Sequence, residues 1–254
     1  MDLKQLVRRV IPVRGRHRLL LWKARLTQWP PAGGIRFGSL RRLDPVNRQF
    51  GFGRGRPVDR YYIEAFLARH AGDIRGRVLE VGDDAYTRRF GNGRVTASDV
   101  LHAVAGNPQA TLVADLSQAG HLPEGQFDCI ICTQTLQYIY DVRAAVRTLH
   151  RILKPGGVLL ASLPGIGQIS RYDMDRWGEY WRFTTLSVRR LLEEAFPPSG
   201  ITAQAHGNVF AAVALLHGIA ADEVHPEELD HRDRDYEVLV TVRAVKSKEA
   251  SHVA

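Results

Sequence analysis

The chain has 254 residues, of which 44% are apolar and 24% charged, and its formal charge is +8. That length and apolar share suffice to bury one substantial core. The longest apolar run, residues 209–216, is far too short to span a bilayer. Two cysteines, Cys129 and Cys132, are too few for the disulfide framework of a small secreted protein.

The charge is unevenly placed. Residues 1–60 hold 15 Lys and Arg against 3 Asp and Glu, whereas the remainder holds 20 against 24. The N-terminus has the positive charge of a signal peptide, but Arg14, Arg16, His17 and Arg18 interrupt its apolar part. A cytoplasmic protein is therefore expected. Leu19, Leu20, Leu21 and Trp22 lie among these cations and suit a helix resting on an anionic membrane, so residues 1–28 are a candidate peripheral contact. A solvated or self-docked basic arm accounts for the same composition, and nucleic acid is not the expected partner. Residues 29–57 are dense in Pro and Gly and read as irregular. The expected organisation is a basic arm and lead-in over 1–56 and a main domain over 57–254.

The main domain opens with a helix, "RYYIEAFLARHAG", for which Asp59 is the expected cap and in which Tyr62, Ile63, Phe66 and Leu67 recur at helical spacing. Strands and helices then alternate: "RVLEV" as a strand, "AYTRRFG" as a short helix, and "RVTASDV", "ATLVADL" and "FDCIICTQ" as strands. "DVRAAVRTLHRIL" follows with one apolar stripe, and "KPGG" ends it and launches the strand "GVLLASLP". "TTLSVRRLLEEAF" reads as a Thr-capped helix, "ITAQAHGN" as a strand, "VFAAVALLHGIA" as an apolar helix and "DYEVLVTVRAV" as an alternating strand. This is an α/β pattern: a Rossmann-like, doubly wound, mostly parallel sheet closed by an antiparallel last strand. Cys129 and Cys132, three apart on a strand, point to opposite faces and are expected in the core. "DEVHPEELDHRDRD", with His225 and His231, reads as a solvated loop, and no metal site is expected.

In such sheets a ligand sits beyond the carboxyl ends of the strands, where the strand order reverses. A dinucleotide would call for G-x-G-x-x-G after the first strand, yet only Gly82 is present, and no nucleotide-triphosphate loop follows any strand. Acidic residues near successive strand ends, Glu80, Asp99 and Asp115, suit a cofactor with hydroxyl and amine donors and a positive centre.

"VLEVG", "SDV", "ADL", "FDCIICTQTLQYI" and "LHRILKPGGVLLASLP" together resemble the motifs of class I S-adenosylmethionine-dependent methyltransferases of the small-molecule type, over about residues 57–197 and a final strand near 235–245. The resemblance implies that S-adenosyl-L-methionine is the cofactor. It places Glu80 and Gly82 under the methionine end, Asp99 on the ribose hydroxyls, Asp115 with the Leu116 backbone at the adenine, and Thr133, Gln134 and Gln137 lining the cofactor beside the acceptor. "FGFGRGRPVDRYYIEAFL" and "YDMDRWGEYWRFT" further resemble a bacterial subgroup associated with the assembly of sugars or natural products. The implied reaction is methyl transfer to a small molecule, such as a sugar or a glycosylated natural product. Two other readings are a non-methylating enzyme on the same fold and a basic binding module with a vestigial cofactor site.

The first motif departs from the family's Gly-x-Gly-x-Gly, continuing after Gly82 with Asp83, Asp84, Ala85 and Tyr86. Asp83 or Asp84 either caps the helix that follows or bonds the cofactor's ammonium group. Residues 164–186 are the expected acceptor lid, in which Tyr172, Trp177, Tyr180 and Trp181 could stack on a ring and Asp173 and Arg182 could bond hydroxyls. Tyr61 is expected to close the pocket. Tyr138 and His217 are the better-placed candidates for a general base; His102 is expected near adenine or solvent, and His150 is expected to be structural.

Overall fold

The computed structural model describes residues 13–31 and 34–248. The expectation for residues 1–28 thus lies partly outside the described residues. Two compact units divide after Asp44. The first contains the helix α1 (Val13–Thr27). The second contains α2 (Val58–Arg69), β1 (Gly76–Val81), α3 (Ala85–Gly91), β2 (Val95–His102), β3 (Leu112–Val113), β4 (Phe127–Thr133), α4 (Val142–Ile152) and β5 (Leu153–Pro164). It continues with α5 (Arg171–Trp177), α6 (Thr185–Glu193), β6 (Ile201–His206), α7 (Val209–His217), α8 (Pro226–Asp230) and β7 (Leu239–Val245).

The seven strands form one sheet in the order β3-β2-β1-β4-β5-β7-β6. The pairs from β3 to β5 are parallel, and β7 runs antiparallel to both its neighbours. The last strand is antiparallel, as expected, and it is inserted between β5 and β6, a position its apolar burial suits. Alternate strand residues feed two cores. Leu79, Ile130, Cys132 and Leu159 pack with α4 and α6 on one face. Val78, Cys129, Ile131 and Leu160 pack with α2 and α7 on the other. The two thiols sit on opposite faces, and burial pushes Cys132 up to about 12 and Cys129 higher still.

Several local expectations change. Asp59 does not cap α2: Pro57 precedes the helix with φ already near −60°, and Asp59 falls in the first turn, accepting from the Arg60 amide at 2.8 Å. The strand expected over "ATLVADL" contracts to two residues, because β3 is an edge that pairs only Leu112 with Leu101 and Val113 with His102. The Lys-Pro-Gly-Gly segment lies within β5 as an irregularity, with Leu153 opposite Phe127 and Val158 opposite Cys129. The polar run 222–235 contains α8, where Leu229 is buried and its carbonyl accepts from the Tyr62 hydroxyl at 2.8 Å. Residues 45–56, read as lead-in, belong to the second compact unit. There the Asn47 amide donates to the His217 carbonyl, the Arg56 amide donates to Asp222, and the Arg54 guanidinium pairs with Glu223.

Candidate active site

The strand order reverses between β1 and β4, and a cavity of about 580 Å³ opens beyond their carboxyl ends. Val81 and Gly82 from β1, Leu101 and His102 from β2, Asp115 and Leu116 after β3, and Thr133 and Gln134 at β4 contribute to its wall. Gly82 has φ +100°, a conformation L side chains rarely adopt, and a Cβ placed there would meet no atom within 4 Å. The turn therefore presents bare backbone to open space, as a ligand approaching the main chain requires. Its ends are fixed: the Gly82 amide donates to the Leu101 carbonyl at 2.9 Å, and its carbonyl accepts from Asn107 at 2.8 Å.

The acidic residues after and below this turn serve the scaffold. Glu80 is buried, and its carboxylate accepts from the amides of Tyr86 and Thr87 and from the Thr87 hydroxyl. It is Glu80, reaching forward from the strand, that caps the first turn of α3. Burial pushes its carboxyl up to about 7 in spite of those three donors. Asp83 accepts from the Ala85 amide at 2.8 Å, and Asp84 pairs with Arg88 at 2.9 Å. Both side chains are thereby turned along α3, and neither lines the cavity.

Asp99 is not at a strand end. β2 continues three residues further to His102, and Asp99 is held by Arg77 at 2.7 Å and by the Thr111 hydroxyl at 3.0 Å. The ribose role expected of Asp99 therefore does not fit its position. The end-of-strand place is occupied by His102, whose ring bonds the Val104 carbonyl at 2.8 Å and meets Trp177 edge-on at 5.9 Å. Asp115 lies on the cavity wall, in a turn where it accepts from the Ser117 amide and hydroxyl.

A second cavity, of about 620 Å³, adjoins the first. Its wall is assembled from segments distant in sequence: Arg48 and Phe50, Asp59 and Arg60, Gln137, residues 164–173, and Leu215 and Val238. Gln134, Tyr138 and Asp173 line both cavities. Gln134 follows β4 with φ +48°, and the turn is pinned by its amide donating to the Ser162 carbonyl at 3.0 Å. Its side chain donates weakly to Asp59 and accepts from Gln137. The Tyr138 hydroxyl donates to Asp173 Oδ2 at 3.1 Å, and the Ser170 hydroxyl donates to the same oxygen at 2.6 Å. Burial and the neighbouring Asp173 carboxylate push the Tyr138 hydroxyl well above its ordinary range. Asp173 Oδ1 makes no hydrogen bond among the described residues.

The expected lid residues divide among these places. Tyr172 lines the second cavity, Trp177 and Tyr180 line the first, and Asp173 lines both. Trp181 lines neither; its indole donates to the Ile139 carbonyl and its ring stacks on Tyr140. Arg182 pairs with Glu179 and bonds the Gln168 carbonyl, which makes it a brace for the segment. Tyr61 is drawn away by Asp230, which accepts its hydroxyl at 2.9 Å. His217 ends α7 outside both cavities, so it does not serve as the base. His150 packs edge-on against Phe196.

Asp59 and Arg60 were legible only as a helix start. Burial raises Asp59, whereas for Arg60 burial opposes Asp59 and Tyr86, and the net direction is upward. The pair sits on the second cavity's wall close to the β1 turn, with Arg60 donating to the Tyr86 hydroxyl at 3.2 Å.

A methyltransferase-domain family model matches residues 67–161, the stretch from the end of α2 through most of β5. The chain thus carries a methyltransferase domain, and the enzyme is an S-adenosylmethionine-dependent methyltransferase. It is 26% identical over 218 residues to the ubiquinone/menaquinone biosynthesis C-methyltransferase UbiE of Proteus mirabilis, with 69% of this chain and 84% of the relative covered. The biotin biosynthesis bifunctional protein BioCD of Bordetella avium is 26% identical over 201 residues, covering 65% of this chain and 42% of that protein. Among solved structures, a SAM-dependent methyltransferase from Archaeoglobus fulgidus aligns with a TM-score of 0.49 at 10% identity, over 73% of this chain and 94% of that one. The methyltransferase's cofactor is S-adenosylmethionine, and its acceptor is a small molecule. The first cavity fits that cofactor in size and in its open glycine cradle. Among the described residues, no helix is long and apolar enough to cross a membrane.

Proposed function

We propose that this methyltransferase transfers a methyl group to a hydroxyl-bearing small molecule, a sugar or glycosylated natural product, with Asp173 taking the acceptor's proton. The observation that carries this reading is the meeting of two cavities at Gln134, Tyr138 and Asp173. S-adenosylmethionine, when bound, supplies a methyl group on a sulfonium centre. Gly82 gives the backbone clearance beneath its methionine end, His102 takes the ribose edge in place of Asp99, and Asp115 with Leu116 bounds the adenine.

Such a displacement asks little covalent help of the protein: it needs the acceptor oxygen in line with the methyl carbon and water kept out. Residues 164–186 cover the acceptor. Tyr138 and Ser170 hold Asp173 through Oδ2, which leaves Oδ1 to take the acceptor's proton. The glutamines and charged groups of the second cavity suit a polyhydroxylated molecule, and Phe50 suits a sugar's apolar face. The buried thiols suit a reducing cytoplasm.

A second reading, C-methylation of a quinol-type ring, is favoured by the likeness to UbiE and by the apolar Ile166, Leu215 and Val238 on the same wall. Incubation with S-adenosylmethionine and a panel of glycosides and phenols, followed by product mass and nuclear magnetic resonance, separates the two. An O-methyl signal on a sugar supports the first reading, and a new carbon–methyl bond overturns it in favour of the second.

A further inference from the structure

Helix α1 and the chain after it carry surface chemistry that methyl transfer does not use. On α1, Leu19, Trp22 and Leu26 recur at i, i+3 and i+7 and form one stripe, exposed by 52%, 63% and 66%. Lys23 flanks the stripe on one side, and Arg18 and Arg25 flank it on the other. The chain beyond repeats the combination: Trp29, Ile35 and Phe37 are exposed beside Arg36, Arg41 and Arg42. Residues 18–43 contain no acidic residue. None of the six cations makes an ion pair among the described residues.

We infer that this segment is a membrane-surface anchor that lies on an anionic bilayer, with Leu19, Trp22 and Leu26 seated at the acyl boundary and the Arg and Lys side chains at the headgroups. Two physical reasons favour a bilayer over nucleic acid. Aliphatic Leu19, Leu26 and Ile35 gain nothing against phosphates or base edges, whereas each gains transfer free energy on leaving water for lipid. The indole rings of Trp22 and Trp29 prefer the polar–apolar boundary, and cations beside them are attracted to the negative leaflet.

The test is co-sedimentation of the full-length protein with phosphatidylcholine vesicles, with or without phosphatidylglycerol. The protein should pellet with the anionic vesicles and stay in the supernatant with the neutral ones. The double variant Trp22→Ser/Leu26→Ser should bind about tenfold or more weakly, and Arg18→Ala/Arg25→Ala should lose about tenfold on anionic vesicles only. S-adenosylhomocysteine affinity should be unchanged in both variants, which shows the second compact unit intact. Failure to pellet with phosphatidylglycerol vesicles, or undiminished pelleting of the Trp22/Leu26 variant, overturns the proposal. So does tighter, salt-sensitive binding to an RNA oligonucleotide than to vesicles.

Discussion

The two cavities that meet at Asp173 are built in different ways. The cavity proposed for the cofactor is walled by consecutive strand ends and the short turns leaving them, so its shape follows from the sheet. The cavity proposed for the acceptor is walled by residues drawn from the segments 48–60, 134–138 and 164–179 and by Leu215 and Val238, which only the finished fold brings together. Backbone therefore does much of the work in the first cavity and side chains do it in the second. The difference predicts that substitutions in the two cavities separate: one set should move cofactor affinity, the other turnover.

The largest effect is expected at the junction. Asp173→Asn keeps the shape but removes the proposed proton acceptor, so kcat should fall about 10²-fold or more. S-adenosylhomocysteine affinity should stay within about twofold of wild type. Steady-state assays with calorimetry check both; a parallel loss of affinity would erase the division between the cavities. Tyr138→Phe frees Asp173 Oδ2 of one donor and should lower kcat about tenfold.

In the cofactor cavity, His102→Ala should weaken S-adenosylhomocysteine about five- to tenfold. Asp99→Asn should cost about 1 kcal/mol of stability, because the Arg77 partner is partly exposed, and leave affinity unchanged. Denaturant unfolding and calorimetry distinguish the two, and a large affinity loss in Asp99→Asn would restore that residue to the ribose.

The smallest effect concerns pH. Glu80 has its folded-state carboxyl raised from 4.5 to about 7, chiefly by burial. The folded protein thus holds a proton that the unfolded chain has released, and the contribution is fully present below about pH 4.5 and lost as pH rises through about 7. Measured by denaturant unfolding, the stability of Glu80→Gln relative to wild type should rise across that window. A flat difference would mean that the three donors from Tyr86 and Thr87 keep Glu80 ionised throughout.

The same contrast explains how much was legible in the sequence. Strand periodicity and the apolar stripes set out the sheet, and Gly82, Thr133 and Gln134 were legible as strand-end residues because a strand end follows from where the pattern stops. Asp99 misled for the same reason: "SDV" resembles a motif that ends at its acid, while the pairing of Leu101 and His102 with β3 carries the strand three residues further. Asp173 was legible as a polar lid residue, but its bonds to Tyr138 and Ser170 depend on α5 docking beside the turn after β4. Asp59 and Arg60 gave no sign beyond a helix start, since their setting depends on Gln134 and Tyr86.

The most direct test is calorimetric titration of S-adenosylhomocysteine into wild type and Gly82→Val. A Val side chain at φ +100° strains the turn and projects into the open cradle. The wild type should bind with about micromolar Kd, and the folded variant should lose at least about tenfold. Equal binding by the variant, or no binding by folded wild type, would contradict the assignment of this cavity to the cofactor.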